Sequence, residues 1–202
     1  MRRDLSALLL ICLFFCCTSC HKDNRSPQEQ LTAITDTGAN TFSCLVDGKI
    51  FKPKRPFGSF AVVLTCQYQF VDGEQGFMLA AHNYIDHYSV VFNMDQVKIP
   101  GPTVYKFSYP ADGQLYGRCG TSSGFSFNYS TYEMSPGEFR ISKFDTVKQI
   151  ISGTFWFDAI DTSTGKTVQI RDGRRWAAPS SRPAGNPRRR APNQSRSRTY
   201  FS

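Results

Sequence analysis

The sequence predicts an all-β protein, formed by a single antiparallel β-sandwich or barrel-like domain of about 8–10 strands. Turn signals such as Asp-Gly and Pro recur roughly every 8–15 residues, the spacing expected for short antiparallel strands. Apolar and polar residues alternate with a period of two, most clearly from Phe125 to Thr131. No window shows a convincing helical period of 3.6 residues, so we expect antiparallel sheet and no long helix.

The first strands form a predicted hairpin. Phe42 to Val46 is a short apolar run, Asp47-Gly48 favours a type I′ turn, and Lys49 to Phe51 resumes the strand. The remaining predicted strands are Ser59 to Val71, Phe77 to His82, Tyr88 to Met94, Thr103 to Tyr109, Phe125 to Thr131, Phe139 to Phe144, Gln149 to Ala159 and Lys166 to Ile170. The residues expected in the core include Phe125, Phe127, Phe155 and Phe157.

The N-terminus has the pattern of an export signal. Arg2 and Arg3 precede an apolar run from Leu5 to Cys17. As a helix this run would rise only about 20 Å, which is too short to cross a hydrocarbon core of about 30 Å comfortably. We therefore predict that residues 1–19 are a cleaved signal peptide and not a membrane span.

The segment Cys17-Thr18-Ser19-Cys20 resembles the bacterial lipobox, in which two small residues precede a lipidated cysteine. The resemblance implies that Cys20 carries the lipid and becomes the mature N-terminus. Three acyl chains are enough for stable anchoring without a membrane span. The polar residues that follow predict a flexible tether, so residues 20–40 are expected to be lipidated cysteine and tether. Lys22-Asp23 resembles a short export signal of Bacteroidetes lipoproteins, and we expect an outer-membrane protein anchored by lipid, periplasmic or surface-exposed.

The net charge of +8 belongs to the C-terminal end of the chain. Residues 171–202 contain nine Arg and one Asp, whereas residues 1–170 are electrically neutral. The body of the protein therefore has no electrostatic reason to bind nucleic acid, and no nucleic-acid partner is expected. The abrupt change to Arg, Pro and Ser after residue 173 indicates either a lost reading frame at Arg174 or Arg175 or a genuine basic arm. In both cases residues 174–202 are predicted to be a disordered tail, and the folded domain is predicted to span residues 41–173.

Two motifs suggest chemistry, and each has a simpler structural interpretation. Gly120 to Gly124 matches G-x-S-x-G with Ser122 at its centre, but that motif needs a strand, a turn and a helix, and no helix is predicted. His82 and Asp86-His87 place two imidazoles and a carboxylate close in sequence, although zinc needs three or four ligands and a turn is the better interpretation. We predict no catalytic residue, no metal site and no cofactor.

Three cysteines lie within the predicted domain. In an oxidising compartment one disulfide is possible with one thiol left over. The sequence slightly favours a structural bridge between Cys66 and Cys119, because Cys44 sits in an apolar strand and is expected to be core.

Asp145-Thr146-Val147 resembles the site at which Bacteroidetes O-glycosylate exported proteins. Thr146 is therefore a candidate modification site, and an Asp-Thr turn between strands is the alternative role, compatible with the first.

The segments NTFSCLVDGKIFKP, at residues 40–53, and FRISKFDTVKQIISGTFWFDAID with IRDG, between residues 139 and 173, resemble a family of uncharacterised Bacteroidetes lipoproteins. The resemblance implies a lipobox, a tether and one small β domain, and it supplies no activity. The leading hypothesis is a non-enzymatic envelope module that binds a protein or glycan partner or serves structurally. The alternatives are a small-ligand carrier with a barrel cavity and an envelope hydrolase that uses Ser122 or Asp86-His87.

Overall fold

The computed structural model describes residues 25–33, 39–71, 74–121 and 127–177. Within these ranges the protein is all-β and antiparallel, as predicted, and no helix is long and apolar enough to cross a membrane. The strands are β1 (Thr41–Val46), β2 (Lys49–Phe51), β3 (Leu64–Val71), β4 (Glu74–Asn83), β5 (Tyr88–Met94), β6 (Thr103–Lys106), β7 (Leu115–Thr121), β8 (Tyr129–Ser130), β9 (Gly137–Asp145), β10 (Ile150–Ile160) and β11 (Thr167–Ala177).

The strands form one sheet that curves into a half-barrel. Its order is β2-β1-β11-β10-β8-β7-β5-β4-β3. The long strand β10 is the branch point, since its last residue Ile160 pairs with Ser130 of β8 while its first eight residues pair with β9. Strand β6 then pairs with the far side of β9. The branch makes two sheet surfaces, which face each other across one core.

Aromatic side chains fill the space between the two surfaces. Phe92 of β5 lies 5.1 Å, ring centroid to ring centroid, from both Phe139 of β9 and Phe155 of β10. Phe77 of β4 stacks on Phe139 at 5.9 Å. Each of these four side chains is almost completely buried, so the core is continuous between the two surfaces.

The predicted turn at Asp47-Gly48 is confirmed. Both residues have positive φ, 47° for Asp47 and 76° for Gly48, as a type I′ turn requires, and Val46 pairs directly with Lys49. The Asp47 carboxylate also accepts a hydrogen bond of 2.8 Å from the backbone N–H of Gln169, which joins this turn to β11.

Three predicted strands are shorter than expected. The run from Thr103 to Tyr109 is a strand only as far as Lys106. The run from Ser59 to Val71 becomes a strand only at Leu64, and the residues before it form an exposed loop. Of the later run, from Phe125 to Thr131, the structure describes residues 127–131, and among these only Tyr129–Ser130 is a strand. The residues before Leu64 have the apolar content of a strand, but without a neighbouring strand at the right distance they cannot form a ladder.

The core predictions have mixed outcomes. Phe155 and Phe157 are buried on the inner face of β10, as predicted. Phe127 is only partly buried, and Phe125 lies outside the described residues. The alternation in β10 was informative because that strand has ladder partners on both sides along its length.

Residues 25–33 belong to the segment that the sequence predicts to be a flexible tether. This segment forms a turn that packs on the domain and buries Leu31. The backbone N–H of Thr32 donates to Ser43 Oγ at 3.0 Å, and Lys52 Nζ donates to the Gln30 carbonyl at 2.6 Å. The polar composition hid this contact, because a single buried leucine and a few hydrogen bonds leave no periodic signal.

Strand β11 extends to Ala177, beyond the domain end expected at residue 173. Arg174 pairs with Ser43 of β1 on one side and with Thr154 of β10 on the other. The remaining tail, like the predicted signal peptide, lies outside the described residues, and the frame hypothesis stays a prediction.

Candidate functional site

An open cleft lies on the outer face of the sheet, along β10 and β11. Its volume is about 460 Å³. The lining residues are Thr154, Phe155, Trp156, Arg171, Asp172, Gly173 and Arg174. It combines an indole, two guanidinium groups, a hydroxyl and a carboxylate, and we call it the Trp156 cleft.

The cleft originates from a register shift between the two strands. Phe155 pairs with Gly173 and Phe157 with Ile170, so Arg171 and Asp172 together stand opposite Trp156. Such an extra residue is a β-bulge, and it bends the strand and redirects its side chains.

Two local features make this bulge possible. Asp172 adopts the left-handed conformation, with φ 49°, which Asp tolerates better than most residues. A Cβ added to Gly173 would lie only 2.5 Å from the Phe155 ring, so the missing side chain lets that ring lie over the strand.

Alternation along β10 turns Trp156 outward. Its neighbours Phe155 and Phe157 face the core, whereas the Trp156 side chain remains 39% exposed. A large aromatic side chain held on a rigid strand and open to solvent is a common feature of recognition surfaces.

Arg171 is held in place from several directions. Its guanidinium lies 5.5 Å from the centroid of the Trp156 ring and makes an ion pair of 2.5 Å with Asp158. The same group donates to the carbonyl oxygens of Phe157 at 3.2 Å and Ile170 at 2.9 Å. These contacts fix the positive charge beside the indole, and they lower the entropic cost of binding a ligand there.

Arg174 closes the other end of the cleft. Its Nη1 donates to the carbonyl oxygen of Thr32 at 3.3 Å, so residues 25–33 contact a residue that lines the cleft. In the described part of the chain no carboxylate makes an ion pair with Arg174. Arg174 therefore adds a second guanidinium group to the lining of the cleft.

The His82 and Asp86-His87 pattern does not assemble into a catalytic pair. His82 Nδ1 is 2.8 Å from Ser89 Oγ, and burial lowers the pKa of His82. Asp86 instead accepts a hydrogen bond of 2.7 Å from Asn83, at the turn where His87 has φ 51°. The residues serve the β4–β5 turn, which is the alternative that the sequence favoured.

Other predicted sites lie outside the described residues. These include Cys20 and Ser122 of the G-x-S-x-G motif, of which only Gly120 and Thr121 are described. Among the described residues no group of three or more His, Cys, Asp or Glu side chains is placed to hold a metal ion.

The predicted disulfide between Cys66 and Cys119 is not formed. Cys66 lies on β3 and Cys119 on β7, with β4 and β5 between them in the sheet. Three strand spacings amount to about 14 Å, twice the Cα separation that a disulfide tolerates. The sequence showed the two cysteines in strands but could not show how many strands would separate them.

Cys44 and Cys119 are buried thiols with neighbouring polar groups. Burial, and then the Cys119 thiol, raise the pKa of Cys44, and burial raises the pKa of Cys119 to about 12. The Tyr88 hydroxyl lies beside Cys119 without a hydrogen bond of normal geometry, and burial raises its pKa too. Both thiols are therefore protonated and unreactive at neutral pH.

We expect an alkylating reagent to leave residues 44, 66 and 119 unmodified in the folded protein. All three should be modified once the chain is unfolded without a reductant, because each thiol is buried and not bridged to another. Mass spectrometry of the digested protein measures this at each position. A peptide pair joined through Cys66 and Cys119 would contradict the structure.

Thr146 lies at the exposed turn between β9 and β10. Asp145 Oδ1 accepts hydrogen bonds from the backbone N–H groups of Val147 at 3.0 Å and Lys148 at 2.8 Å. The turn interpretation of Asp145 is confirmed, and the Thr146 side chain is exposed. Glycosylation of Thr146 stays a prediction.

No protein-family model matches the chain, and no curated protein or solved structure is significantly similar to it. The resemblance to Bacteroidetes lipoproteins therefore stays a prediction.

The Trp156 cleft was not predicted from the sequence. A usable signal was present, since alternation places Trp156 outward between the core residues Phe155 and Phe157. The positions of Arg171 and Arg174 could not be inferred, because the bulge at Asp172 changes which side chains of β11 share the face of Trp156.

Proposed function

We propose that this protein is a non-enzymatic binding module of the cell envelope, which holds an acidic glycan in the Trp156 cleft. One observation carries the proposal: an exposed indole and two guanidinium groups line a single cleft of about 460 Å³. The envelope location rests on the expected lipid anchor at Cys20.

The chemistry of the lining favours a sugar that bears a carboxylate or sulfate. The apolar face of a sugar ring can pack on an indole, which offers a large and rigid contact area. Arginine binds planar anionic groups through two parallel hydrogen bonds, and Arg174 has such donors available. The Thr154 hydroxyl adds a neutral hydrogen-bonding group, and the volume lies within the range of small-ligand sites.

The alternatives have less support. A small-ligand carrier needs an interior cavity, whereas in the described residues Phe77, Phe92, Phe139 and Phe155 fill the space between the sheet surfaces. A hydrolase built on the G-x-S-x-G motif needs a nucleophile elbow that leads into a helix, whereas the next described element after β7 is the strand β8.

We expect the purified full chain to bind a uronic-acid tetrasaccharide more tightly than the same saccharide with its carboxyl groups reduced to alcohols. Titration calorimetry measures both affinities, and the preference should weaken as salt is raised. Trp156→Ala should reduce binding by about 30-fold, as for a buried aromatic contact of about 2 kcal/mol. Arg174→Gln should remove the preference for the acidic form.

Matched variants separate the cleft from the rest of the surface. Trp156→Phe should retain part of the affinity, and Tyr132→Ala, which truncates an exposed aromatic residue outside the cleft, should leave binding unchanged. Equal binding of the acidic and reduced saccharides, or none of either, would reject the glycan proposal. Cleavage products in the titration mixture would reject the non-enzymatic part.

A further inference from the structure

A second surface lies on the loop between β2 and β3. Unlike the Trp156 cleft, its most exposed side chains are apolar. We define residues 52–63 as the Phe57–Phe60 loop. Its two aromatic side chains are completely or almost completely exposed, 108% for Phe57 and 95% for Phe60. Val62 in the same loop and Ile85 in the adjoining β4–β5 turn are also exposed. Large apolar side chains this exposed and this close together indicate a surface that meets an apolar phase.

The loop is firmly attached to the rest of the domain. The backbone N–H of Lys54 donates to the His82 carbonyl at 3.1 Å, and that of Tyr84 donates to the Lys54 carbonyl at 2.8 Å. At the other end His82 N–H donates to the Val63 carbonyl at 2.8 Å. The hydrogen bonds fix both ends of the loop to β4 and the turn that follows it.

The apex of the loop is a tight turn. Ser59 N–H donates to the Pro56 carbonyl at 3.2 Å, and Gly58 has φ 77°, which a glycine adopts without strain. Phe57 and Gly58 are thus the central residues of the turn, and the Phe57 ring extends from the protein instead of folding back onto it.

Basic residues flank this apolar apex. The loop contains Lys52, Lys54 and Arg55, all exposed, and no acidic residue. We call these three basic residues the basic collar. An apolar loop tip next to such a group matches the boundary of an anionic bilayer, where aromatic rings enter the acyl region and cations remain among the phosphates. Arg55 also donates to the Ala61 carbonyl at 3.4 Å, which places its charge across the loop.

Residues 25–33, which follow the expected lipid anchor in the sequence, contact the start of the same loop. Gln30 accepts a hydrogen bond from Lys52 at the start of the loop, and its side chain donates to the Arg25 carbonyl at 2.9 Å. Arg25 follows the expected lipidated position Cys20 by five residues, so about 17 Å is the farthest that Cys20 can be from Arg25. A protein partner would not require this proximity, whereas a bilayer surface does.

We propose that the Phe57–Phe60 loop is a second membrane contact, which inserts Phe57 and Phe60 into an anionic bilayer beside the lipid anchor. The two contacts together fix the orientation of the domain on the membrane, because an anchor alone leaves the domain free to rotate. The inference is independent of what the Trp156 cleft binds.

The test uses the full chain incorporated into vesicles of phosphatidylglycerol and phosphatidylcholine with brominated acyl chains. Bromine in the acyl region quenches only tryptophans that enter the bilayer. The Phe57→Trp variant should show added fluorescence that is blue-shifted and strongly quenched. Val147→Trp, at an equally exposed site in the β9–β10 turn, should show added fluorescence that is neither shifted nor quenched. The wild type supplies the background of its two native tryptophans.

Charge variants test the basic collar. The combined change Lys54→Gln and Arg55→Gln should weaken vesicle binding of the loop by about 30-fold, since each basic residue near an anionic surface contributes about fivefold. If the tryptophan introduced by Phe57→Trp is not quenched by the brominated acyl chains, the membrane proposal is overturned and the surface is assigned to a protein partner. A chain that does not remain on the vesicles overturns it as well. Titration with saccharides does not depend on membrane contact, and tryptophan quenching does not depend on saccharide binding. The glycan proposal and the membrane proposal can therefore fail separately.

Discussion

The Phe92→Ala variant is expected to lose about 3–5 kcal/mol of unfolding free energy, the largest effect of any single substitution considered for this protein. Phe92 is completely buried, and its ring contacts those of Phe77 and Phe107 at 6.1 and 5.8 Å between centroids. It also contacts Phe139 and Phe155, both at 5.1 Å. Truncation would therefore leave a cavity between the two sheet surfaces, where no single side chain can close it.

Urea unfolding of the full chain, followed by tryptophan fluorescence, measures this loss. Phe57→Ala is the matched control, because the same atoms are removed from an exposed ring, and we expect a change within about 0.5 kcal/mol. Should Phe92→Ala fail to fold, Phe92→Leu provides a milder variant with an expected loss of about 1 kcal/mol. Equal losses for Phe92→Ala and Phe57→Ala would contradict the assignment of the core.

We expect Gly153→Ala to lose about 3 kcal/mol, at the upper end for an overpacked site. A Cβ at Gly153 would lie 2.3 Å from the backbone carbonyl oxygen of Arg140 and 3.0 Å from the Phe139 ring. The carbonyl belongs to β9, which pairs with β10 here, so relief of the clash requires the two strands to separate. A flexible side chain could move aside at little cost, but a backbone group in a ladder cannot.

The neighbouring Ser152 provides the control for Gly153→Ala. Ser152 is buried, and within the described residues its hydroxyl has no hydrogen-bond partner. Ser152→Ala should therefore leave stability unchanged or raise it slightly, because the lost hydroxyl is an unsatisfied group. Urea unfolding of both variants decides the matter, and a Gly153→Ala protein as stable as the wild type would show that β9 and β10 are farther apart than described.

Segments that pair with a strand on each side were predicted more accurately from the sequence than segments that have no adjacent strand. Strand β10 was predicted well, since its alternation reflects pairing on both sides and an inner face that packs on the core. The run from Ser59 to Val71 was predicted too long, because Phe60 and Val62 have the composition of a strand but no strand lies beside them. The burial of Leu31 was not predicted, since the burial of a single residue leaves no pattern in the sequence.

The candidate sites show the same limit. Turns such as Asp145 to Lys148 depend on residues close in sequence, so a short pattern is sufficient to predict them. The pairing of Cys66 with Cys119 depends on strand order, and the Trp156 cleft depends on a one-residue bulge between β10 and β11. Neither strand order nor a bulge leaves a local pattern.

Local patterns were sufficient to predict the all-β class, the Asp47-Gly48 hairpin and the inward faces of Phe155 and Phe157, because backbone preference and side-chain alternation act over a few residues. Three other features came only from the folded protein: β10 branches the sheet, Cys66 and Cys119 lie three strands apart, and Trp156 shares a cleft with Arg171 and Arg174. These features depend on which distant segments pair and in what register. That choice minimises the free energy of the whole domain, and it is not encoded in any one stretch of residues.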